Sequence, residues 1–150
     1  MSLHLTFEIQ GEKQLSVELG IAADGIKKWD KPLAKVGDTL LKSFDLNFSS
    51  RGALFGGWAP RKPQYKAGKR VDSWPLLEKT GAMRKGFSSD VTDDYVKLEN
   101  KLPYFKYHQS NEPRKKIPRR IMMKIDQQRR NEIVKIFQAY IIQVTRGKTR

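Results

Sequence analysis

The chain has 150 residues, with 30 Lys+Arg against 16 Asp+Glu, a formal charge of +14 and a pI near 10.1. Cysteine is absent, which excludes disulfides and thiolate metal sites. No apolar run approaches the roughly 20 residues that span a bilayer, so no membrane partner is expected, and so large a positive charge calls for an anionic partner or for neighbouring subunits that supply counter-charge.

The length fits a single domain over 1–150. Met1-Ser2-Leu3-His4-Leu5 lacks a basic stretch followed by an apolar one, so no signal peptide is expected. Leu3, Leu5, Phe7 and Ile9 alternate with polar residues, as in a half-buried strand, and Leu15, Val17, Leu19 and Ile21 form a second alternating set. With Gln10-Gly11-Glu12-Lys13 as a turn the two would form a hairpin; alternatively the second run begins a helix. From Ile26 the period changes to three and four, through Trp29, Leu33, Val36, Leu40 and Phe44. Asp30 as a cap and Pro32 in the first turn predict a helix over about 30–48.

Residues 49–75 hold Gly52, Gly56, Gly57, Pro60, Pro63, Gly68 and Pro75, a density that predicts a long loop or arm. A helical turn is expected at about 75–81, then strands at about 83–91 and 95–99 joined at Thr92-Asp93-Asp94. Tyr104, Phe105 and Tyr107 form a local aromatic cluster, followed by a loop at 111–116. Asp126 can cap a last helix over about 126–144, whose apolar stripe is Ile133, Ile136, Phe137, Tyr140, Ile141 and Val144. Residues 145–150 form a basic tail expected to fray. The fold class is therefore α+β, a small antiparallel sheet packed against two helices.

The charge is unevenly spread. Residues 1–50 and 71–112 each carry a net −1, whereas 51–70 carry +6 and 113–150 carry +10. Two segments hold the whole excess. The first places Trp58, Tyr65 and the nearby Trp74 among Arg61, Lys62, Lys66, Lys69 and Arg70. Such residues can neutralise phosphates and stack on bases. Trp, Tyr and Arg are equally the residues favoured at protein interfaces, and that reading is preferred for an arm of this length. The second segment contains Arg114, Lys115, Lys116, Arg119 and Arg120, a basic run interrupted by Ile117 and Pro118. Catalytic constellations are scarce: there are two histidines, His4 and His108, and no metalloprotease helix, phosphate-binding glycine loop or dinucleotide fingerprint. His108 is more economically a packed, hydrogen-bonded residue than a general base, and no catalytic residue, metal or cofactor is assigned.

Several motifs occur in a telling order. Lys42-Ser43-Phe44-Asp45-Leu46-Asn47-Phe48 runs to Gly52 and then to Gly57-Trp58-Ala59-Pro60. Leu76-Leu77-Glu78-Lys79-Thr80-Gly81 precedes a short polar strand, Pro103-Tyr104-Phe105-Lys106-Tyr107-His108-Gln109 follows, and Ile117-Pro118-Arg119-Arg120-Ile121 leads to the terminal helix. Together, over roughly 30–144, they resemble the phage virion morphogenesis family, which includes tail completion and head–tail joining proteins. The sequence departs from the family pattern at Ser110-Asn111, where a glycine is usual, and at Arg119 and Ile121 within the Ile-Pro step. The resemblance implies a non-enzymatic structural protein of the virion, placed at the head–tail junction or tail after assembly in the host cytoplasm. It implies a ring homo-oligomer, hexameric by family resemblance, with neighbouring neck or tail proteins as partners and DNA contact in a channel as a secondary option. The alternative is a small basic nucleic-acid-binding protein. His108, Gln109, Ile117 and Pro118 would be structural, with Pro118 setting the chain direction and Ile117 and Ile121 packing.

Overall fold

The computed structural model describes residues 2–5, 28–110 and 116–146. The expected partner run at 15–21, the turn before it, and Arg114 and Lys115 lie outside these residues. The elements are strand β1 (Ser2–Leu5), helix α1 (Asp30–Ser49), a 3-10 turn (Ala53–Phe55), β2 (Tyr65–Lys66), β3 (Lys69–Arg70), α2 (Ala82–Lys85), β4 (Phe87–Val91), β5 (Val96–Asn100), α3 (Phe105–Gln109) and α4 (Gln127–Arg146). One sheet has the order β1-β5-β4, and a separate two-stranded sheet pairs β2 with β3. The α+β class holds, with both long helices within two residues of their expected bounds. The stretch 83–91 divides differently from its strand expectation. Ala82–Lys85 is a helical turn after Gly81, and the strand starts only at Phe87. Residues 75–81, expected to be helical, form irregular turns instead.

Helix α1 forms where the three-and-four stripe runs, and Leu33, Val36, Leu40, Phe44 and Phe48 are its buried face. Among the described residues the contacts group into two compact units: one of 41–88, 99–110 and 116–124 with Ser2, the other of 3–5, 28–40, 89–98 and 125–146.

In the second unit, Trp29 leads into α1 and donates its backbone N–H to Asp93 O at 3.1 Å. Its ring meets Phe137 and Tyr140 of α4 at centroid distances of 5.6 and 6.0 Å. Asp126 caps α4, accepting the Arg129 backbone N–H at 2.9 Å and the Arg129 guanidinium at 2.9 Å. The β4–β5 turn is tied by Thr92, whose backbone N–H donates to Tyr95 O at 2.9 Å, while its hydroxyl oxygen accepts the Tyr95 N–H at 3.1 Å.

The first unit is built on an aromatic core. Phe44 meets Phe87 at 5.4 Å, Phe87 stands edge-on to Phe105 at 5.5 Å, and Phe48 stands edge-on to Trp58 at 5.0 Å. Edge-to-face packing of this kind adds about 0.5–1.5 kcal/mol per pair beyond burial. Arg84 braces one side, giving Asp45 a two-point contact at 2.5 and 2.8 Å and Glu78 a further hydrogen bond at 2.8 Å.

Candidate protein interface

The basic loop has two parts with different physics. Its foot is closed. Helix α1 ends where Arg51 and Gly52 turn left-handed, at φ 54° and 84°. The Gly52 N–H donates to Asn47 O at 2.7 Å, and Gly52 O accepts the Gly57 N–H at 2.7 Å. Trp58 lies directly on Gly52: a Cβ there would fall 2.2 Å from the indole. Both the backbone angle and the space thus demand glycine. The indole N–H donates to Ile121 O at 2.8 Å, and the Asn47 amide donates to the same carbonyl at 3.0 Å.

The segment 119–123 is therefore the foot's other half. Gln109, 8% exposed, holds it as a neighbouring strand would. Its amide N–H donates to Met123 O at 2.6 Å, and its carbonyl accepts the backbone N–H of Met122 at 2.8 Å and of Met123 at 3.1 Å. The Arg120 N–H donates to His108 O at 2.8 Å, and the Arg119 guanidinium to Gln109 O at 3.2 Å. Met122 and Met123 fill the core beneath. The His-Gln and Ile-Pro-x-Arg motifs, eight residues apart, form one structure.

The arm's far end is open. Gln64 O accepts the Val71 N–H at 2.9 Å, closing a two-rung hairpin in which Tyr65 faces Arg70 and Lys66 faces Lys69 across an Ala67-Gly68 turn. All four strand residues are exposed, Tyr65 at 66%. At the hairpin's base Asp72 is fully buried between two guanidiniums, with Arg70 Nε at 2.8 Å and Arg61 Nε at 3.0 Å. The Arg70 hydrogen bond holds the Asp72 carboxyl below its ordinary pKa, with Arg61 acting in the same direction. Arg61 also donates to Trp74 O and stacks its guanidinium 5.2 Å from the Trp74 ring, which Lys79 approaches at 5.0 Å. Trp58 and Trp74 line a cleft of about 640 Å³ with Arg51, Arg61, Arg70, Asp72 and Ser73.

The family model for phage virion morphogenesis proteins matches residues 12–141. The chain belongs to the phage virion morphogenesis family. No curated protein and no solved structure matches it. Membership gives the chain a structural role in building the virion, and among the described residues no helix is long and apolar enough to cross a membrane.

The residues singled out from the sequence sort by position. Lys62, Tyr65, Lys66 and Lys69 are exposed on the arm, and Lys116 and Arg119 are exposed after the second loop. Arg61, Arg70 and Trp74 surround Asp72 at the arm's base. Two corrections concern the foot. Arg120, expected on the contact surface, is 6% exposed, and its guanidinium donates inward to Ala59 O at 2.9 Å and Pro60 O at 3.4 Å. Burial, with the Arg61 charge nearby, pulls its pKa below the ordinary guanidinium range. Ile117, expected to pack, is 39% exposed, whereas Met122 and Met123 further along are buried. Sequence reading missed Asp72 and Asn47. Asp72 had a signal: it is the sole acid between residues 51 and 77, directly behind the +6 run. Asn47 had none, lying in a helix where its side chain finds a carbonyl 74 residues away.

Proposed function

We propose that the protein acts without covalent chemistry in tail completion or head–tail joining, as a ring of identical subunits at the phage neck that presents the basic arm to neighbouring neck or tail proteins. The observation that carries this reading is the hairpin 65–70. Two strands of two residues with no buried face are marginal in water, and Lys66 opposite Lys69 makes them worse. A hairpin of that kind gains stability when a partner covers Tyr65 and neutralises the lysines. Its base is nevertheless fixed by Asp72, so the arm is held ready rather than loose. Family membership supports the setting, and a repeated head-to-tail contact gives a ring when its rotation closes.

Nucleic-acid binding is the second reading, favoured by the same exposed lysines. Salt separates the two. DNA binding would fall steeply, with a log–log slope of about −0.9 per phosphate contacted. Electron microscopy of the protein mixed with tail tubes tests the first: Lys66→Glu with Lys69→Glu should fold normally yet fail to decorate tube ends. Normal decoration by this variant, or a wild-type chain that never joins particles, would overturn the proposal.

A further inference from the structure

The chain carries both an acidic turn and an arginine-lined cleft. The β4–β5 turn holds three carboxylates within five residues, Asp90, Asp93 and Asp94, all exposed, with Tyr95 beside them 39% exposed. In a chain of net +14 such a concentration of negative charge is out of character. The turn is rigid. Thr92 pins it through the bonds described above, the Asp94 N–H adds a bond to the Thr92 hydroxyl at 3.3 Å, and Asp93 O is held by Trp29. Its internal neutralisation is slight: Lys28 stands 3.9 Å from Asp93 with both side chains mostly in water. Asp90 and Asp94 make no ion pair among the described residues.

The cleft carries the opposite charge. Arg51, Arg61 and Arg70 against Asp72 leave it two positive charges in excess. Asp72 already occupies Arg61 and Arg70, but Arg51 is exposed and makes no ion pair among the described residues. Trp58 and Trp74 are among its lining residues and add aromatic surface to it. At about 640 Å³ it has the size of a small-ligand pocket, which suits one or two side chains of a tight turn.

We infer that the ring contact seats the acidic turn 90–95 of one copy in the Arg51–Trp58–Trp74 cleft of the next. This rests on the ring reading above and names the surfaces that make it. The contact is heterologous, one patch meeting a different patch, as a closed ring requires. It also lets copies of a strongly basic chain associate, since each junction brings three carboxylates to an arginine-lined site. A preformed turn loses little conformational freedom on docking.

The absence of native cysteine makes a clean test available. Asp94→Cys and Ser73→Cys proteins, prepared separately, mixed and oxidised, should form a one-to-one disulfide-linked pair. A control mixture of Asp94→Cys with Lys35→Cys should form far less. Equal cross-linking in the two mixtures would overturn the inference. Charge reversal gives the second arm. Asp94→Lys and Arg51→Glu, each checked for folding by circular dichroism, should each weaken self-association on the order of tenfold by mass photometry. The two combined in one chain should restore it, which a foreign acidic partner could not explain. Rings that survive both single reversals, or are not restored by the pair, would overturn the inference and leave the ring reading standing. A wild-type chain that stays monomeric, alone and with tail tubes, would overturn both.

Discussion

The foot and the tip of the basic loop use the same residue types to opposite ends. In the foot, Trp58 and Arg120 turn inward and spend their donors on the carbonyls of Ile121, Ala59 and Pro60. At the tip, Tyr65, Lys66 and Lys69 turn outward and bury nothing. The foot is specified by satisfied backbone groups. The tip has every strand residue exposed, which is the basis for proposing it as a contact surface. Basic and aromatic composition alone therefore does not tell an inward residue from an outward one; which carbonyls the cations reach does.

Removing the foot's central hydrogen bonds should give the largest effect. Gln109→Leu keeps the side-chain volume but strips three bonds from Met122 and Met123 in a buried place. The loss should be about 3 kcal/mol, since each stranded buried group costs about 1–3 kcal/mol and some regain water. Thermal melting should show it as a fall of roughly 10 °C. An unchanged melting temperature would mean that Gln109 does not hold the 119–123 segment, and the distinction between foot and tip would fail at its firmest point.

Much of this was legible beforehand, for physical reasons that differ by element. Helices α1 and α4 showed because their apolar stripes run for many turns at one period. Over 49–75 glycine and proline argue against long elements, and the chain there holds only a 3-10 turn and the two-residue strands β2 and β3. The foot did not show as a foot. Gln109 and Arg120 bond backbone groups, and a backbone carbonyl carries no residue identity, so no pattern of letters pairs residue 109 with 123 or residue 120 with 59. The same holds for Gly86, which lies 2.9 Å from the Asn100 amide when given a Cβ, a packing demand visible only in three dimensions. The misread strand at 83–86 has a local cause: Ala82-Met83-Arg84-Lys85 are all good helix formers, and Asn100 takes the Met83 carbonyl at 2.8 Å.

Acid should separate tip from foot with a smaller effect. Asp72 has a depressed pKa in the folded chain, so its clamp stabilises the arm fully above the ordinary carboxylate value of about 3.9. That stabilisation is lost as the pH falls further, through the folded value. Hydrogen exchange read by mass spectrometry should then show 61–72 opening below about pH 4 while 119–123 stays protected. The Asp45 carboxyl, depressed first by the Arg84 hydrogen bond, loses its charge in the same direction. Asp72→Asn isolates the clamp: it should open 61–72 at neutral pH with Asp45 still ionised. Protection unchanged by that substitution would show that the hairpin's attachment does not depend on the two arginines.

The smallest change in stability should accompany one of the clearest changes in assembly. Lys69→Thr removes the like-charge pair with Lys66 and places a β-branched residue in a strand. Two effects oppose any loss of folding stability: relief of repulsion and better strand propensity. No buried contact is given up, because Lys69 is exposed and makes no ion pair among the described residues. Melting should therefore shift by an amount worth less than about 0.5 kcal/mol, as for surface changes in general, and upward if at all. Under the proposed contact, decoration of tail tubes should nonetheless fall, since the hairpin loses one of its two lysines. A variant both more stable and fully competent in assembly would show that the lysine is not retained for contact. A variant less stable than wild type would show that the hairpin already leans on Lys69 in the free protein, and the contrast between a satisfied foot and an unsatisfied tip would narrow accordingly.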